Sequence, residues 1–224
     1  MASKIIYFIR HGESELNARG IRQGPDGPLS LKGREQVRRA AEGLAREPKK
    51  IQVLFSSPFQ RTRETAEIIA ETLYLKIHFC DLLVERRNPS EIVGHSQAEQ
   101  EVQSIVDRID KSFHPDHLRF SDEENFVDLK ARAKKLLRFI ASRRHSRMLM
   151  VTHGIFLSMV VSYMLHGKKL TASEYANASY LYKLDNAGVV ICSYKSHWFK
   201  KDEWKLLMWN GMPQSTAGLG FFQH

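Results

Sequence analysis

The chain reads as an α/β fold, a three-layer α/β/α arrangement around a mostly parallel sheet with an antiparallel edge strand. Three observations carry that expectation. Short apolar runs such as Lys4-Ile5-Ile6-Tyr7-Phe8-Ile9 and Met148-Leu149-Met150-Val151 stop abruptly at polar residues, as strands of a sheet covered on both faces do. Between such runs lie stretches with apolar residues at i, i+3, i+4 and i+7, the stripe of a helix lying on a sheet. The order strand, helix, strand, helix, strand then places helices on both faces. A chain of 224 residues can bury a good core as one large unit, so residues 1–224 are expected to form one domain with a lid-like excursion at about 86–125.

The first strand ends in Arg10-His11-Gly12-Glu13. Ligands of open α/β sheets bind beyond the carboxyl ends of the strands, so Arg10 and His11 stand where chemistry is expected. Gly12 permits a tight exit and close approach. Ser14 to Leu29, rich in Gly, Pro, Asn and Asp, reads as a loop. Ser30 caps a helix to about Arg46, striped by Val37, Ala40, Ala41 and Leu44, with Gly33 weakening its first turn.

A strand near Gln52–Ser56 leads through Ser57-Pro58-Phe59-Gln60-Arg61 into a second helix, striped by Ala66, Ile69, Ala70 and Leu73. Ile77–Cys80 is a short strand. From Glu85 to about Asn125 the pattern loosens. One helix there carries Val102, Ile105, Val106 and Ile109 and stops at Phe113-His114-Pro115. This longest gap between strands is the natural lid.

Ser121 with Glu124 three residues on reads as a capping box, ahead of a long amphipathic helix through Phe126, Leu129, Ala133, Leu136, Leu137 and Ile140. The strand Met148–Thr152 repeats the first design, ending in His153-Gly154. A helix follows to about Leu165, stopped by Gly167. Tyr180–Asp185 and Val189–His197, joined by Asn186-Ala187-Gly188, read as a hairpin, and Trp204–Trp209 adds a further strand. The aromatic tail, Gly218 to His224, is open to docking back, covering a partner or hanging free.

The net charge of +9 is dispersed among acidic residues on helical faces, which describes a solvated surface that attracts small anions and argues against nucleic acid. No apolar run approaches the roughly 18–20 residues of a membrane span. The first residues lack the pattern of a signal peptide, so a cytoplasmic protein with no membrane partner is expected. Cys80 and Cys192 are far apart and form no Cys-x-x-Cys pair, as in a protein with reduced, buried thiols. Oligomeric state is left open.

Two strand-ending His-Gly pairs with Arg10 and Arg61 describe an anion pocket with a nucleophile in it. A phosphate monoester is a dianion near neutral pH. It repels an anionic nucleophile but not a neutral imidazole, so a histidine can accept the phosphoryl group and later lose it to water. Arginine forks hold the phosphoryl oxygens in a fixed geometry. No metal is required, and no carboxylate cluster for one stands out. Gly94-His95-Ser96-Gln97-Ala98 resembles a serine nucleophile elbow but lacks the buried strand an elbow needs. No Gly-x-x-x-x-Gly-Lys-Ser/Thr loop occurs.

Taken together and in order, Arg10-His11-Gly12-Glu13, Ser57-Pro58-Phe59-Gln60-Arg61 and Thr152-His153-Gly154 resemble the histidine phosphatase superfamily, which includes the cofactor-dependent phosphoglycerate mutases. The resemblance runs from Lys4 to the final strands. It implies a phosphoglycerate mutase-like fold and a phosphatase without metal or cofactor, acting on a small phosphorylated substrate through a phosphohistidine on His11. Arg10 and Arg61 would clamp the phosphate and His153 would add a hydrogen bond. Asn17, Gln23 and Gly24 would touch phosphate or substrate, with Asp26 completing that loop's pattern, and Gly154 would open a helix whose first amides face the anion. A carboxylic acid after the strand before the lid would protonate the leaving oxygen; Glu85 fits best, with Glu91 and Glu13 as alternatives. The mutases carry Glu-Arg-His-Tyr-Gly where this chain has Glu85-Arg86-Arg87-Asn88-Pro89, so transfer to water is expected ahead of transfer to a second substrate oxygen. A phosphoglycerate-type phosphomutase and a phosphate-binding scaffold with a vestigial pocket are the competing readings.

Overall fold

A computed structural model describes residues 3–113, 118–181, 184–199 and 202–211. Among these residues six strands form one sheet: β1 (Ser3–Arg10), β2 (Val53–Ser56), β3 (Ile77–Phe79), β4 (Arg147–Thr152), β5 (Val189–Lys195) and β6 (Glu203–Gly211), in the order β3-β2-β4-β1-β5-β6. The pairs among β1 to β4 are parallel, whereas β5 pairs antiparallel with both β1 and β6.

Strand β1 lies inside the sheet, and its side chains alternate between two cores. Ile6 and Phe8 pack with α5 (Phe126–Ser142) and α6 (Gly154–His166). Tyr7 and Ile9 pack on the other face with α2 (Leu31–Ala45) and α3 (Gln60–Leu73). This explains the unbroken apolar run: both faces of the strand are covered. The result is the three-layer arrangement the sequence predicts.

Ser30 caps α2, its hydroxyl accepting the Gly33 N–H at 3.0 Å. Gly33 does more than weaken that turn. A Cβ on it would lie 1.9 Å from the Glu13 carbonyl oxygen, and a Cβ on Gly12 would lie 2.5 Å from the Gly33 oxygen. The two glycines let the first turn of α2 press onto the exit of β1. The approach that Gly12 permits is thus that of a helix.

Three readings of the sequence need correction. The loop after β1 contains a short helix, α1 (Glu15–Ala18), capped by Ser14. The capping box of α5 is Asn125 with Asp128, both bonds at 3.1 Å, and not Ser121 with Glu124. The strand read at Tyr180–Asp185 is not seen in its described residues: Tyr180 and Leu181 end α7 (Ala172–Leu181), Tyr182 and Lys183 lie outside the described residues, and β5 pairs with β1 and β6. The helix begins at its own capping box, where Thr171 Oγ1 accepts the Glu174 N–H at 3.2 Å and the Glu174 carboxylate accepts the Thr171 N–H at 2.8 Å. Tyr175 docks it on α6 by donating its hydroxyl to the Ile155 carbonyl at 3.1 Å. The apolar alternation of Tyr180, Tyr182 and Leu184 imitates a strand.

The excursion between β3 and β4 holds helical turns at Asp81–Leu83 and Ser90–Ile92, then α4 (Gln100–Phe113). His114 and Pro115, read as its stop, and the tail from Gly218 to His224 lie outside the described residues. The excursion is tied to the loop after β1: Arg22 N–H donates to His95 at 2.9 Å, Gly94 N–H to Arg22 at 2.9 Å, and Gln97 N–H to Gly20 at 2.8 Å. Among the described residues no helix is long and apolar enough to cross a membrane.

Candidate active site

His11 is the first residue beyond β1. Its N–H donates to the Thr152 carbonyl at 3.0 Å, and its own carbonyl accepts from Ala187 N–H at 3.2 Å and Asn186 Nδ2 at 3.3 Å. Register pairs Arg10 with Thr152, so His11 and His153 leave neighbouring parallel strands at one level. Their rings stand 5.2 Å apart, edge to face at 62°.

The His11 tautomer follows from its partners. Nδ1 lies 2.7 Å from the Gly12 carbonyl, which only accepts, so Nδ1 carries the proton. Nε2 keeps its lone pair, toward which Arg61 Nε points from 3.3 Å. Burial first, then the charges of Arg61 and Arg10, hold the His11 pKa well below 6.5. The ring is therefore neutral.

His153 is fully buried. Its Nε2 lies 2.9 Å from the Ser57 hydroxyl, while Nδ1 finds no hydrogen-bond partner among the described residues. Burial, then Arg61, His11, Arg132 and Arg10, hold its pKa well below 6.5.

Arg10 Nη1 donates to the Leu184 carbonyl at 2.5 Å, and Arg10 Nε is buried without a partner among the described residues. A Cβ on Gly154 would sit 3.3 Å from that nitrogen, so the glycine leaves the guanidinium its room. Arg61 Nη1 donates to the Gly24 carbonyl at 2.8 Å. Burial lowers the Arg61 pKa to about 10, with Glu85 opposing and Arg10 adding to the fall.

These groups face a cavity of about 590 Å³ whose wall includes Arg10, His11, Asn17, Gln23, Arg61, Glu85 and Gly154. His153 and Gly24 stand behind that wall, one packed on His11 and the other holding Arg61. Gln23 Oε1 accepts the Ser14 hydroxyl at 2.7 Å, and the buried Asn17 Oδ1 has no partner among the described residues. Asp26 is exposed and off the wall.

Glu85 is held by three backbone donors. Oε1 accepts Arg86 N–H at 2.8 Å and Phe156 N–H at 2.9 Å, and Oε2 accepts Ile155 N–H at 3.2 Å. Two of these are the first amides of α6 that the sequence offered to the phosphate; the Glu85 carboxylate occupies them instead. The alternatives lie elsewhere. Glu13 pairs with Lys32 at 2.9 Å and accepts the Ser30 hydroxyl at 2.9 Å, and Glu91 is exposed beside Ser90. Neither is on the cavity wall.

Among the wall residues that the sequence reading does not mark as site residues are Arg22, Arg86, Asp110 and Tyr175. Burial lowers the Arg22 pKa, Arg86 adds to the fall and Asp110 opposes it; its Nε is buried without a partner among the described residues. Burial pushes the Tyr175 hydroxyl up to about 12. Tyr175 was legible through the Thr171–Glu174 box that starts its helix. Among the described residues no group of three or more His, Cys, Asp or Glu is placed to hold a metal ion.

Comparisons with known proteins identify the family and the fold. A family model described as "Histidine phosphatase superfamily (branch 1)" matches residues 6–210. The chain is 33% identical over 172 residues to the probable phosphoglycerate mutase GpmB of Proteus mirabilis, covering 71% of this chain and 74% of that protein. Among solved structures, a mycobacterial glucosyl-3-phosphoglycerate phosphatase complexed with VO3 superposes with a TM-score of 0.73 at 24% identity, over 92% of this chain and 99% of its own. Phosphoserine phosphatase from Entamoeba histolytica, in complex with phosphoserine, gives a TM-score of 0.70 at 21% identity, over 93% and 98%. At these identities the superpositions speak for the fold.

Proposed function

The chain belongs to the histidine phosphatase superfamily, and from that premise we propose that it is a metal-independent phosphatase that hydrolyses a small phosphate monoester through a phosphohistidine on His11. The observation that carries the reading is the neutral His11 ring, its Nε2 lone pair facing Arg61 and its pKa lowered by the charges of both Arg61 and Arg10.

Nε2 attacks phosphorus while the bond to the leaving oxygen breaks. Arg10 and Arg61 hold the phosphoryl oxygens through the transition state, where charge is spread over them. Arg61 Nε then exchanges its contact with His11 for one with the phosphate. His153, its Nε2 2.9 Å from the Ser57 hydroxyl and its Nδ1 without a partner among the described residues, gives the phosphate a further hydrogen bond. A carboxyl group offers about four lone-pair sites, and backbone N–H groups take three of those on Glu85, leaving one on Oε2 for a transferable proton. Glu85 gives that proton to the departing alkoxide. It takes one back from the water that cleaves the phosphorus–nitrogen bond, and inorganic phosphate leaves.

The cavity suits a small molecule. Arg22 and Arg86 on its wall, beyond the phosphate cradle, support a substrate with a second anionic group. Cys80 and Cys192 both carry free thiols, which supports a reducing compartment such as the cytoplasm.

The name of the Proteus mirabilis relative favours a second reading, a phosphomutase. Phosphate release from p-nitrophenyl phosphate and from a panel of sugar phosphates, phosphoglycerates and phosphoamino acids, with and without chelator, separates the two. Steady release that ignores the chelator is expected. Transfer between the hydroxyls of phosphoglycerate without release would establish the mutase, and binding without turnover would establish a scaffold.

A further inference from the structure

We propose that Arg132 and Glu124 form a clamp that positions Glu85 for proton transfer; the inference rests on the function proposed above. Arg132 projects from α5 and is nearly buried, with 12% of its side chain exposed. A guanidinium has five N–H donors, and here all five are engaged. Nε donates to Glu124 Oε1 at 2.9 Å. Nη2 donates to Glu124 Oε2 at 2.6 Å and to the Glu85 carbonyl at 3.3 Å. Nη1 donates to the carbonyls of Val84 at 2.6 Å and Leu82 at 3.4 Å.

Glu124 closes the clamp on the far side of Glu85. Its Oε2 accepts the Arg87 N–H at 3.0 Å, and its own N–H donates to the Arg87 carbonyl at 3.1 Å. One ion pair thus fixes the backbone on both sides of Glu85. The same guanidinium lies 3.9 Å over the Phe156 ring, and Phe156 supplies one of the N–H groups that hold the Glu85 carboxylate. Arg132 therefore touches the segment that carries the carboxylate and the residue that aims it. A nearly buried ion pair is weak evidence for stability, because desolvation offsets attraction, but a bidentate pair fixes geometry. Neither residue is on the cavity wall, so both are positioning residues.

The test measures turnover of an alkyl phosphate and of p-nitrophenyl phosphate by the wild type, Glu124→Gln and Arg132→Lys, and by both substitutions in a Glu85→Gln background. Thermal melts verify folding. A displaced proton donor costs rate where the leaving oxygen is basic, so a loss of about ten- to a hundredfold on the alkyl phosphate, against less than about twofold on the aryl phosphate, is expected. That selective loss should vanish in the Glu85→Gln background. Equal losses on both substrates, losses that persist without Glu85, or no loss in a folded variant would overturn the clamp. If Arg132→Lys fails to fold, the milder Glu124→Gln decides. A wild type inert to both substrates would remove the phosphatase reading, and this inference with it.

Discussion

The Nδ1 atom of His11 lies 2.7 Å from the carbonyl oxygen of Gly12, and that single bond decides which ring nitrogen is free to react. His11→Ala is expected to abolish turnover and leave the far-ultraviolet circular dichroism unchanged. Wild-type protein quenched during turnover of labelled substrate should carry an acid-labile phosphoryl label that the variant lacks. A variant that still turns over would end the nucleophile assignment.

The same burial that keeps His11 and His153 neutral makes stability depend on pH. Above about 6.5 both the folded and unfolded chains hold these rings uncharged, and the two residues impose no pH dependence. Below about 6.5 the unfolded chain takes up protons that the folded chain refuses. Each histidine then costs about 1.4 kcal/mol of stability per pH unit, down to its folded pKa. Urea midpoints at about pH 6.5 and 5.5 should fall more steeply for the wild type than for His153→Gln. Parallel slopes would show that His153 protonates within the fold.

Arg61→Lys should not behave as a conservative change. Arg61 spends one nitrogen on the Gly24 carbonyl and aims another at His11, a division of labour an ammonium on a flexible stem cannot reproduce. The loss should fall in kcat and amount to about 2–4 kcal/mol, like that of other transition-state donors. An unchanged kcat would place Arg61 outside the reacting geometry.

Glu85→Gln should slow an alkyl phosphate far more than p-nitrophenyl phosphate, since a nitrophenolate departs without a proton. Glu91→Gln, a change at an exposed carboxylate, should alter neither rate. A selective loss in the Glu91 variant instead would relocate the acid.

Arg22→Gln should raise KM for phosphate esters that carry a second anionic group and leave p-nitrophenyl phosphate unaffected. Losing one charged hydrogen bond corresponds to roughly a tenfold rise or more. Equal KM changes across both kinds of ester would deny Arg22 a part in choosing the substrate.

Much of this architecture was legible because burial leaves a one-dimensional trace. β1 is apolar at Ile6, Tyr7, Phe8 and Ile9 because helices cover both faces, and the run stops at Arg10 because the chain there meets the cavity. What failed were local signals with more than one use. Ser121 and Glu124 have the spacing of a capping box, but Glu124 belongs to Arg132, a partner eight residues on that no spacing rule announces. Thr171 and Glu174 have the same spacing and do start a helix, which the alternating tyrosines and leucines after it disguised. The Glu85 carboxylate lies on the cavity wall. Its hold on the first amides of α6 depends on the fold that brings 85 to 156, and nothing in either segment alone reveals it.

His11 and His153 extend from adjacent strands, and adjacent strands of any sheet lie roughly 4.8 Å apart, close to the separation of the two rings. The gap between the imidazoles is thus inherited from main-chain hydrogen bonding and owes little to the side chains packed around it. Drift in the cores can erode the melting temperature of such a protein long before it retunes the pair. An engineer who wanted the two rings a full strand further apart would have to re-thread the sheet, because no amount of repacking supplies that distance.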